Sequence, residues 1–154
     1  MPCNADGNPV VDKIRILDGF GEVLKIYKVP IGRDQFEGAQ LDGAYLYGAQ
    51  LSGANFKGAA LYWAGFFEAN LDGANFENAG LQGADLKRTS CIGANFRRAN
   101  LGRDNLGGNT QLQGANLTGA ILNKANLEGA EYDEDTIFPK GFYPTSHGMI
   151  AKKH

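Results

Sequence analysis

Large apolar residues recur at every fifth position along most of this chain, beginning at Phe36. A small residue usually stands two places before each of them, as in the pair Ala39–Leu41. A period of five matches neither the 3.6-residue period of an α-helix nor the two-residue alternation of a β-strand. It suits a chain that bends after each short segment and directs one large and one small side chain inward. The pattern therefore predicts a repetitive solenoid over residues 34–134.

Phenylalanine adds a second period of 20 residues, so four five-residue segments are expected to complete one turn of the solenoid. About five such turns would form a rod of roughly 24 Å at the usual spacing between β-strands. Stacking by twenties predicts four inward columns. They are Phe36, Phe56, Phe76 and Phe96 in the first; Leu41, Leu61, Leu81 and Leu101 in the second; Leu46, Phe66, Leu86 and Leu106 in the third; Leu51, Leu71 and Cys91 in the fourth.

The five-residue phase slips by one after Leu106, because the next central residues are Leu112 and Leu117. The extra residue falls within Gly107-Gly108-Asn109, where glycine and asparagine accept unusual backbone angles. We therefore expect a one-residue bulge at this corner. The fourth column should then resume with Leu112, directly after Cys91, and the first column with Leu117.

The segment before the repeat predicts a β-hairpin. After a flexible lead over residues 1–12, two apolar runs at 14–17 and 23–29 flank the glycine-containing residues 18–21. A short helix over the second run is the alternative. Because an exposed β-edge invites association with another chain, the hairpin is expected to cover the lower end of the solenoid. A docking hairpin for a partner is the other interpretation.

The segment after the repeat predicts a second cap, in which Ile137, Phe138 and Phe142 fold over the last coil. The expected organisation is therefore a lead and hairpin at 1–33, the repeat at 34–134 and a cap and tail at 135–154.

Three runs resemble the A(D/N)LXX repeat of the pentapeptide-repeat proteins: Ala-Asn-Phe-Lys-Gly at 54–58, Ala-Asn-Leu-Thr-Gly at 115–119 and Ala-Asn-Leu-Glu-Gly at 125–129. The resemblance extends over residues 34–134 and implies that family's all-β fold, a right-handed quadrilateral β-helix. Thr89 and Thr110 depart from the pattern at the small inward position, and Cys91 departs at the central one.

Composition adds limits rather than a function. The 154 residues include 15 Lys+Arg against 17 Asp+Glu, with a pI near 5.6, which does not favour direct binding to nucleic acid. The 22 glycines are in phase with the apolar residues, which favours structure over disorder. A polar start, the lack of a membrane-length apolar stretch, and two cysteines without metal-ligand spacing predict a cytoplasmic protein without a disulfide.

Candidate chemistry is sparse. The two histidines, His147 and His154, lie in the tail, and the sequence contains no Walker loop, dinucleotide fingerprint, HExxH or CxxC motif. The inward phase of Cys91 predicts a buried thiol rather than a nucleophile. We therefore expect no catalytic residues, no cofactor and no metal. An enzyme or ligand site would require residues from a cap to meet at one end of the rod.

Outward positions of the first two coils carry aromatic residues where this kind of repeat usually has polar residues or glycine. They are Tyr45, Tyr47, Tyr62, Trp63 and Phe67. These residues are expected to form one contact patch for a protein partner or a second copy of the chain. Cover by the amino-terminal hairpin, with Phe20 and Tyr27, is the alternative interpretation.

Two further surface features have plainer interpretations. A basic belt consists of Lys87, Arg88, Arg97, Arg98 and Arg103. Because it spreads over three of the four faces, a solvated belt is favoured over a groove for phosphate or an acidic partner. An asparagine ladder is expected at Asn55, Asn75, Asn95 and Asn116, where stacked amides would stiffen one face more simply than they would form a recognition strip.

The favoured function is a non-enzymatic scaffold, a rigid rod that presents surface patches to a protein partner or to itself. The resemblance implies an alternative, because some members of the family resemble duplex DNA and protect DNA gyrase. Residues 34–134 carry twelve acidic and seven basic residues, a modest net charge of −5. A rod of roughly 24 Å would also replace only about seven base pairs of DNA.

Overall fold

The computed structural model describes residues 11–17, 23–30 and 36–153, with side chains described over 36–153. Most of the expected lead, the hairpin turn at 18–21 and any cover of the aromatic patch by Phe20 or Tyr27 lie outside these described parts.

Each five-residue segment turns at its large inward residue. In the first segment, the carbonyl of Phe36 accepts a hydrogen bond from the amide of Ala39 at 3.0 Å, and Gly38 between them has φ 66°. A four-residue turn with this bond and a left-handed third residue is a type II turn, which favours glycine at that place. The requirement explains why glycine shares the phase of the apolar residues.

Four ladders of parallel bridges stack the coils on one another. Their rungs are Gln40–Ala60–Gly80–Asn100–Asn126, Tyr45–Gly65–Asp85–Gln111–Glu131, Gln50–Asn70–Ser90–Asn116–Ile137 and Asn55–Asn75–Asn95–Ile121. One ladder on each of four sides gives the rod a quadrilateral cross-section. Within the described residues there is no α-helix. The predicted all-β quadrilateral β-helix is confirmed.

The phenylalanine column forms a continuous stack inside the rod. Ring centroids are 4.6 Å apart between Phe36 and Phe56, 4.9 Å between Phe56 and Phe76, and 5.0 Å between Phe76 and Phe96, and the rings are nearly parallel. These spacings follow the distance of about 4.8 Å between hydrogen-bonded strands, so ring stacking and the ladders support the same repeat. Phe66 packs edge-on against Phe56 and Phe76.

The two threonines at small inward positions are accommodated by hydrogen bonds to the backbone. Thr89 donates to the carbonyl of Leu86 at 2.8 Å, and Thr110 donates to the carbonyl of Leu81 at 2.9 Å. Both side chains are buried, and a buried hydroxyl with a partner avoids most of the cost of desolvation. Threonine therefore replaces alanine without disturbing the coil.

The predicted one-residue bulge is wrong, because the insertion contains six residues. Asp85 pairs with Gln111, which is 26 positions later rather than 20. Leu106 lies in the extra segment and is 88% exposed, so it does not belong to the third column. Six residues equal one complete segment plus one, and the five-residue phase of the sequence cannot distinguish that from a slip of one.

The correction also moves every later residue by one column. Leu112 follows Gln111 and occupies the third column above Leu86, and Leu117 occupies the fourth column above Cys91. Cys91 is therefore stacked between Leu71 and Leu117, not between Leu71 and Leu112.

The expected asparagine ladder is shorter than predicted. Asn116 pairs with Ser90 in the third ladder, so it does not continue the series Asn55, Asn75 and Asn95. The amide of Asn95 donates to the side-chain oxygen of Asn75 at 3.2 Å, as expected for stacked amides that stiffen a face.

The predicted amino-terminal hairpin is present as two antiparallel strands, β1 (Val11–Leu17) and β2 (Val23–Pro30), with Ile14 opposite Tyr27. The second apolar run is therefore a strand and not a helix.

The carboxyl-terminal segment returns to the rod. Strand β3 (Glu131–Tyr132) pairs in parallel with β4 (Ile150–Ala151), which follows a short 3-10 helix at Pro144–His147. Phe138 and Phe142 pack against the core. Met149, which the sequence did not single out, is also buried in it.

The prediction that Ile137 folds over the last coil is wrong. Its amide and carbonyl pair with Ala115 and Leu117 at 2.9 and 2.7 Å, which makes it an outward rung of the third ladder. Its side chain is 50% exposed.

Phe76 lies in the middle of the ring stack, so its replacement by alanine should be costly. We expect Phe76→Ala to lower the free energy of unfolding by about 3–5 kcal/mol, because a large cavity would remain between two fixed rings. Urea unfolding followed by circular dichroism measures this loss. The control Ile92→Ala, at an exposed position, should change stability by no more than about 0.5 kcal/mol. A similar loss for both variants would contradict the stacked interior.

Candidate protein-contact surface

Three of the predicted patch residues form one aromatic cluster. The rings of Tyr45 and Tyr47 stack at 3.9 Å between centroids, and Tyr47 contacts Phe67, one coil further on, at 5.8 Å. Both tyrosines are exposed, and Phe67 is half-buried. Burial raises the pKa of the Tyr47 hydroxyl, and the charge of Asp85 raises it further.

Trp63 and Tyr62 lie on the next corner of the rod. Trp63 is 52% exposed, the largest exposed fraction among the patch tyrosines and tryptophan, and Tyr62 is 39% exposed. The hydroxyl of Tyr62 accepts a hydrogen bond from Gln82 at 3.2 Å. Gly65 joins the two groups, because it directly follows the Trp63 turn, pairs with Tyr45 and lies against the ring of Tyr47.

Glycines on the adjoining coil make room for these rings. A Cβ at Gly80 would lie 3.3 Å from the ring of Tyr62, and a Cβ at Gly83 would lie 3.0 Å from the indole of Trp63. A Cβ at Gly65 would overlap the ring of Tyr47. The rings of Tyr47, Tyr62 and Trp63 therefore rest on backbone that carries no side chain, which limits the positions that these rings can take.

Trp63 itself adopts an unusual backbone conformation. Its φ is 59°, at the turn position that glycine occupies in most other segments. For a bulky residue a left-handed conformation is an outlier that costs free energy. Contacts of the indole ring with Gly83 and Gly108 accompany this strain.

The loop at 102–109, called the inserted loop because it contains the six-residue insertion, completes this side of the surface, and the sequence did not predict its role. One carboxylate oxygen of Asp104 accepts the amides of Leu106 at 2.9 Å and Gly108 at 2.6 Å, and the amide of Asp104 donates to the carbonyl of Gly108 at 2.9 Å. These bonds fix the loop so that Gly108 lies against the outer edge of the Trp63 ring and Leu106 projects into solvent.

The predicted basic belt is divided rather than continuous. Lys87 pairs with Asp85 at 3.5 Å, and Arg88 pairs with Glu68 at 3.1 Å while lying 5.8 Å from the ring centre of Phe67. Such exposed pairs contribute at most about 1 kcal/mol each.

The other three belt residues occupy two different corners. Arg97 and Arg98 follow Phe96 in the first column, and Arg103 follows Leu101 in the second. The structure thus spreads the five cations over three faces and does not bring them together in one groove.

Cys91 is fully buried, as its inward phase predicts. Burial raises the pKa of its thiol to about 12, although a hydrogen bond with Thr89 at 3.3 Å acts in the opposite direction. The thiolate is the nucleophilic form, and it is scarcely populated at neutral pH. Cys91 therefore acts as a small packing residue in this coil.

Titratable groups near the upper end serve structural contacts. Burial raises the pKa of Glu131, but hydrogen bonds from Asn109, Lys152 and Gln113 outweigh it and hold the pKa below its usual value. His147 stacks on Phe142 at 4.4 Å.

Among the residues the structure describes, no group of three or more His, Cys, Asp or Glu side chains could hold a metal ion. None of the helices in the described part of the chain is long and apolar enough to cross a membrane.

Comparison with known families identifies the repeat. A family model described as pentapeptide repeats matches in eight copies, over residues 35–64, 64–103 and 109–131. The interruption between 103 and 109 coincides with the inserted loop.

Several solved structures are similar to this chain. A pentapeptide repeat protein from the thylakoid lumen of Arabidopsis thaliana is 33% identical over 68% of this chain and 72% of its own, with a TM-score of 0.54. A pentapeptide repeat protein from Nostoc PCC 7120 is 33% identical over 76% of this chain and 84% of its own, with a TM-score of 0.32. A trypsin-treated form of QnrB1, a plasmid-mediated fluoroquinolone resistance protein, is 18% identical over 79% and 86%, with a TM-score of 0.36. A search of curated proteins found no significant match.

The contact between Gly83 and Trp63 can be tested with a matched pair of variants. Gly83 and Gly93 both have positive φ, so alanine at either site should cost about 1–2 kcal/mol of stability. Only at Gly83 would the new Cβ meet the indole, since nothing lies within 4 Å of the corresponding point at Gly93. We expect Gly83→Ala, but not Gly93→Ala, to shift Trp63 emission to longer wavelength and increase acrylamide quenching. Unchanged fluorescence in Gly83→Ala would contradict this packing.

Proposed function

The chain belongs to the pentapeptide repeat family, and from that premise we propose that it is a non-enzymatic interaction scaffold. The rod would present its aromatic surface to a protein partner or to a second copy of the chain. The observation that supports this proposal is the exposure of Tyr45, Tyr47, Tyr62 and Trp63, which lie on two neighbouring corners of the rod.

Preorganisation strengthens this interpretation. Exposed rings that were free to rotate would lose conformational entropy on binding, whereas rings already resting on Gly65 and Gly83 lose little. Tyrosine and tryptophan are also the residues most often found at the energetic centre of protein interfaces. A buried interior filled by Leu, Phe and Ala leaves function to the outer surface.

Substitutions in both aromatic groups test the proposal. Trp63→Asn places a residue that tolerates left-handed geometry in this turn, as Asn78 does at φ 58°, and Tyr47→Gln removes a ring from the other group. We expect the double variant to weaken partner capture or self-association at least about tenfold, because two central aromatic anchors are lost. Sedimentation velocity and pull-down from lysate measure the two outcomes.

The control for that experiment is Ile92→Ser with Ile121→Ser, which changes exposed apolar residues elsewhere on the rod. If the aromatic variant leaves both self-association and every captured partner unchanged, the surface is not the contact. Equal losses in both variants would equally reject a specific role for the aromatic rings.

The alternative, a DNA-mimicking protein that contacts gyrase, is implied by the family resemblance, but the net charge of −5 over residues 34–134 is modest for a mimic of DNA. On the surface, acids and bases alternate: Lys57 pairs with Glu77 at 3.8 Å, and Arg88 pairs with Glu68 at 3.1 Å. Such pairs interrupt the continuous negative strip that mimicry of a phosphate backbone requires.

A supercoiling assay separates this alternative from the scaffold. Because the negative strip is interrupted, we expect the pure protein to leave gyrase supercoiling unchanged at micromolar concentration, both with and without a quinolone. Inhibition of supercoiling or protection from the quinolone would favour the alternative and would make gyrase the partner to examine.

A further inference from the structure

We propose that the part of the surface around Trp63 binds a basic amphipathic segment of a partner protein, in which Lys or Arg stands beside a large apolar residue. This inference rests on the proposed scaffold function and adds the chemistry of the partner. It depends on the ring of Trp63, on the inserted loop and on the acidic residues along the same corner.

Trp63 offers one open aromatic face. The atoms of its ring nearest to a Cβ built at Gly83 are Cδ2 and Cε2, at 3.0 and 3.1 Å, which form the bond shared by its two rings. An approach centred on that shared bond comes from the face of the ring and not from its edge. One face therefore lies on the backbone, and the exposed 52% of the residue includes the opposite face.

The inserted loop lies at the outer edge of this ring. Gly108 touches the far edge of the indole, and Leu106, two residues earlier, is 88% exposed. The hydrogen bonds that the amides of Leu106 and Gly108 donate to Asp104 keep the loop in place. A large apolar side chain from a partner would gain contact with both Trp63 and Leu106.

Acidic residues follow the same corner. Asp42 precedes Trp63 by one coil, Asp104 lies in the loop and Glu128 lies beyond it. None of the three forms an ion pair with a described residue. Among the described residues, Arg103 is the one cation at this corner. Its guanidinium lies beside the backbone at Gly129. The corner therefore carries a net charge of −2.

Neighbouring acids do not contribute to this imbalance. Asp85 is paired with Lys87 at 3.5 Å, and Glu131 is paired with Lys152 at 3.2 Å. The negative charge without an ion pair at this corner thus belongs to Asp42, Asp104 and Glu128, and of these Asp104 is half-buried and accepts two backbone amides through one carboxylate oxygen.

This arrangement selects a cationic occupant. A guanidinium or ammonium group over the open face of tryptophan is stabilised by a cation–π interaction, and nearby carboxylates add attraction. An acidic segment would meet like charge. A second copy docked symmetrically through this corner would bring two surfaces of charge −2 together, so a different, basic partner fits better.

The protein reports on this site without a label, because Trp63 is its one tryptophan. The probe is a tryptophan-free amphipathic peptide made of arginine and leucine. It is compared with an analogue that has glutamate in place of each arginine. We expect the arginine peptide to shift Trp63 emission to shorter wavelength with saturable, micromolar binding that weakens as salt rises. The glutamate analogue should cause no shift of the Trp63 emission up to ten times that concentration.

Two triple variants that keep Trp63 test whether the acidic residues of this corner attract the arginine peptide. In the triple variant Asp42→Asn, Asp104→Asn and Glu128→Gln, the amide oxygens can still accept the hydrogen bonds that Tyr62, Leu106 and Gly108 donate. We expect it to bind the arginine peptide at least about tenfold more weakly. The control variant removes the same charge elsewhere, as Glu37→Gln, Glu77→Gln and Glu134→Gln, and should lose less than about threefold. Leu106→Ser should also weaken binding.

Several results would overturn the inference. These are no binding of the arginine peptide at 100 times the protein concentration, equal binding of the glutamate analogue, or equal losses of peptide affinity in the two triple variants. In each case the scaffold function would still stand if the Trp63 and Tyr47 substitutions abolish partner capture. If the arginine peptide does not bind the protein that retains Trp63, and the Trp63 and Tyr47 substitutions leave partner capture unchanged, both proposals are rejected.

Discussion

The return of the backbone to register after every fourth turn is the constraint on which the rest of this structure depends. A coil can donate and accept hydrogen bonds along all four sides only if each turn bends by a similar amount, and the left-handed third residue of the turn provides that bend. Once the register is met, one column of rings, three columns mainly of leucine and a layer of alanine are brought into contact by the same repeat. Hydrogen bonding and apolar packing are therefore not independent contributions here, since each requires the spacing that the other imposes.

Much of the fold follows from the sequence because the period is both local and iterated. The columns through Cys91, the inward threonines and the hairpin strands could all be predicted from phase and apolar runs. The insertion could not, because phase repeats every five residues and does not record how many complete segments are added. The predicted place of Asn116 in the asparagine ladder was wrong for that reason. Ile137 was misplaced for another reason: its apolar side chain suggested burial, but its main chain is needed as a rung.

The candidate surface shows a similar division. Outward phase alone located the exposed tyrosines and Trp63, since a departure from the repeat is visible in the sequence. What holds those rings was less visible. The signal was present as glycine at positions 65 and 80, where most other coils have Asn, Gln, Asp or Glu, but its meaning depends on which coil lies next to which ring. The contribution of Leu106 was hidden by the same ambiguity that hid the loop.

The inserted loop leaves the coil above it undisturbed, because the ladders resume on both sides of it with their ordinary partners. The length and composition of the inserted loop are thus separated from the stability of the rod. Natural variation could enlarge, shorten or recharge the loop while the stacked interior stays constant. A rod of this kind can therefore diverge in recognition without passing through unstable intermediates, and the segment beside Trp63 is where related chains would be expected to differ most.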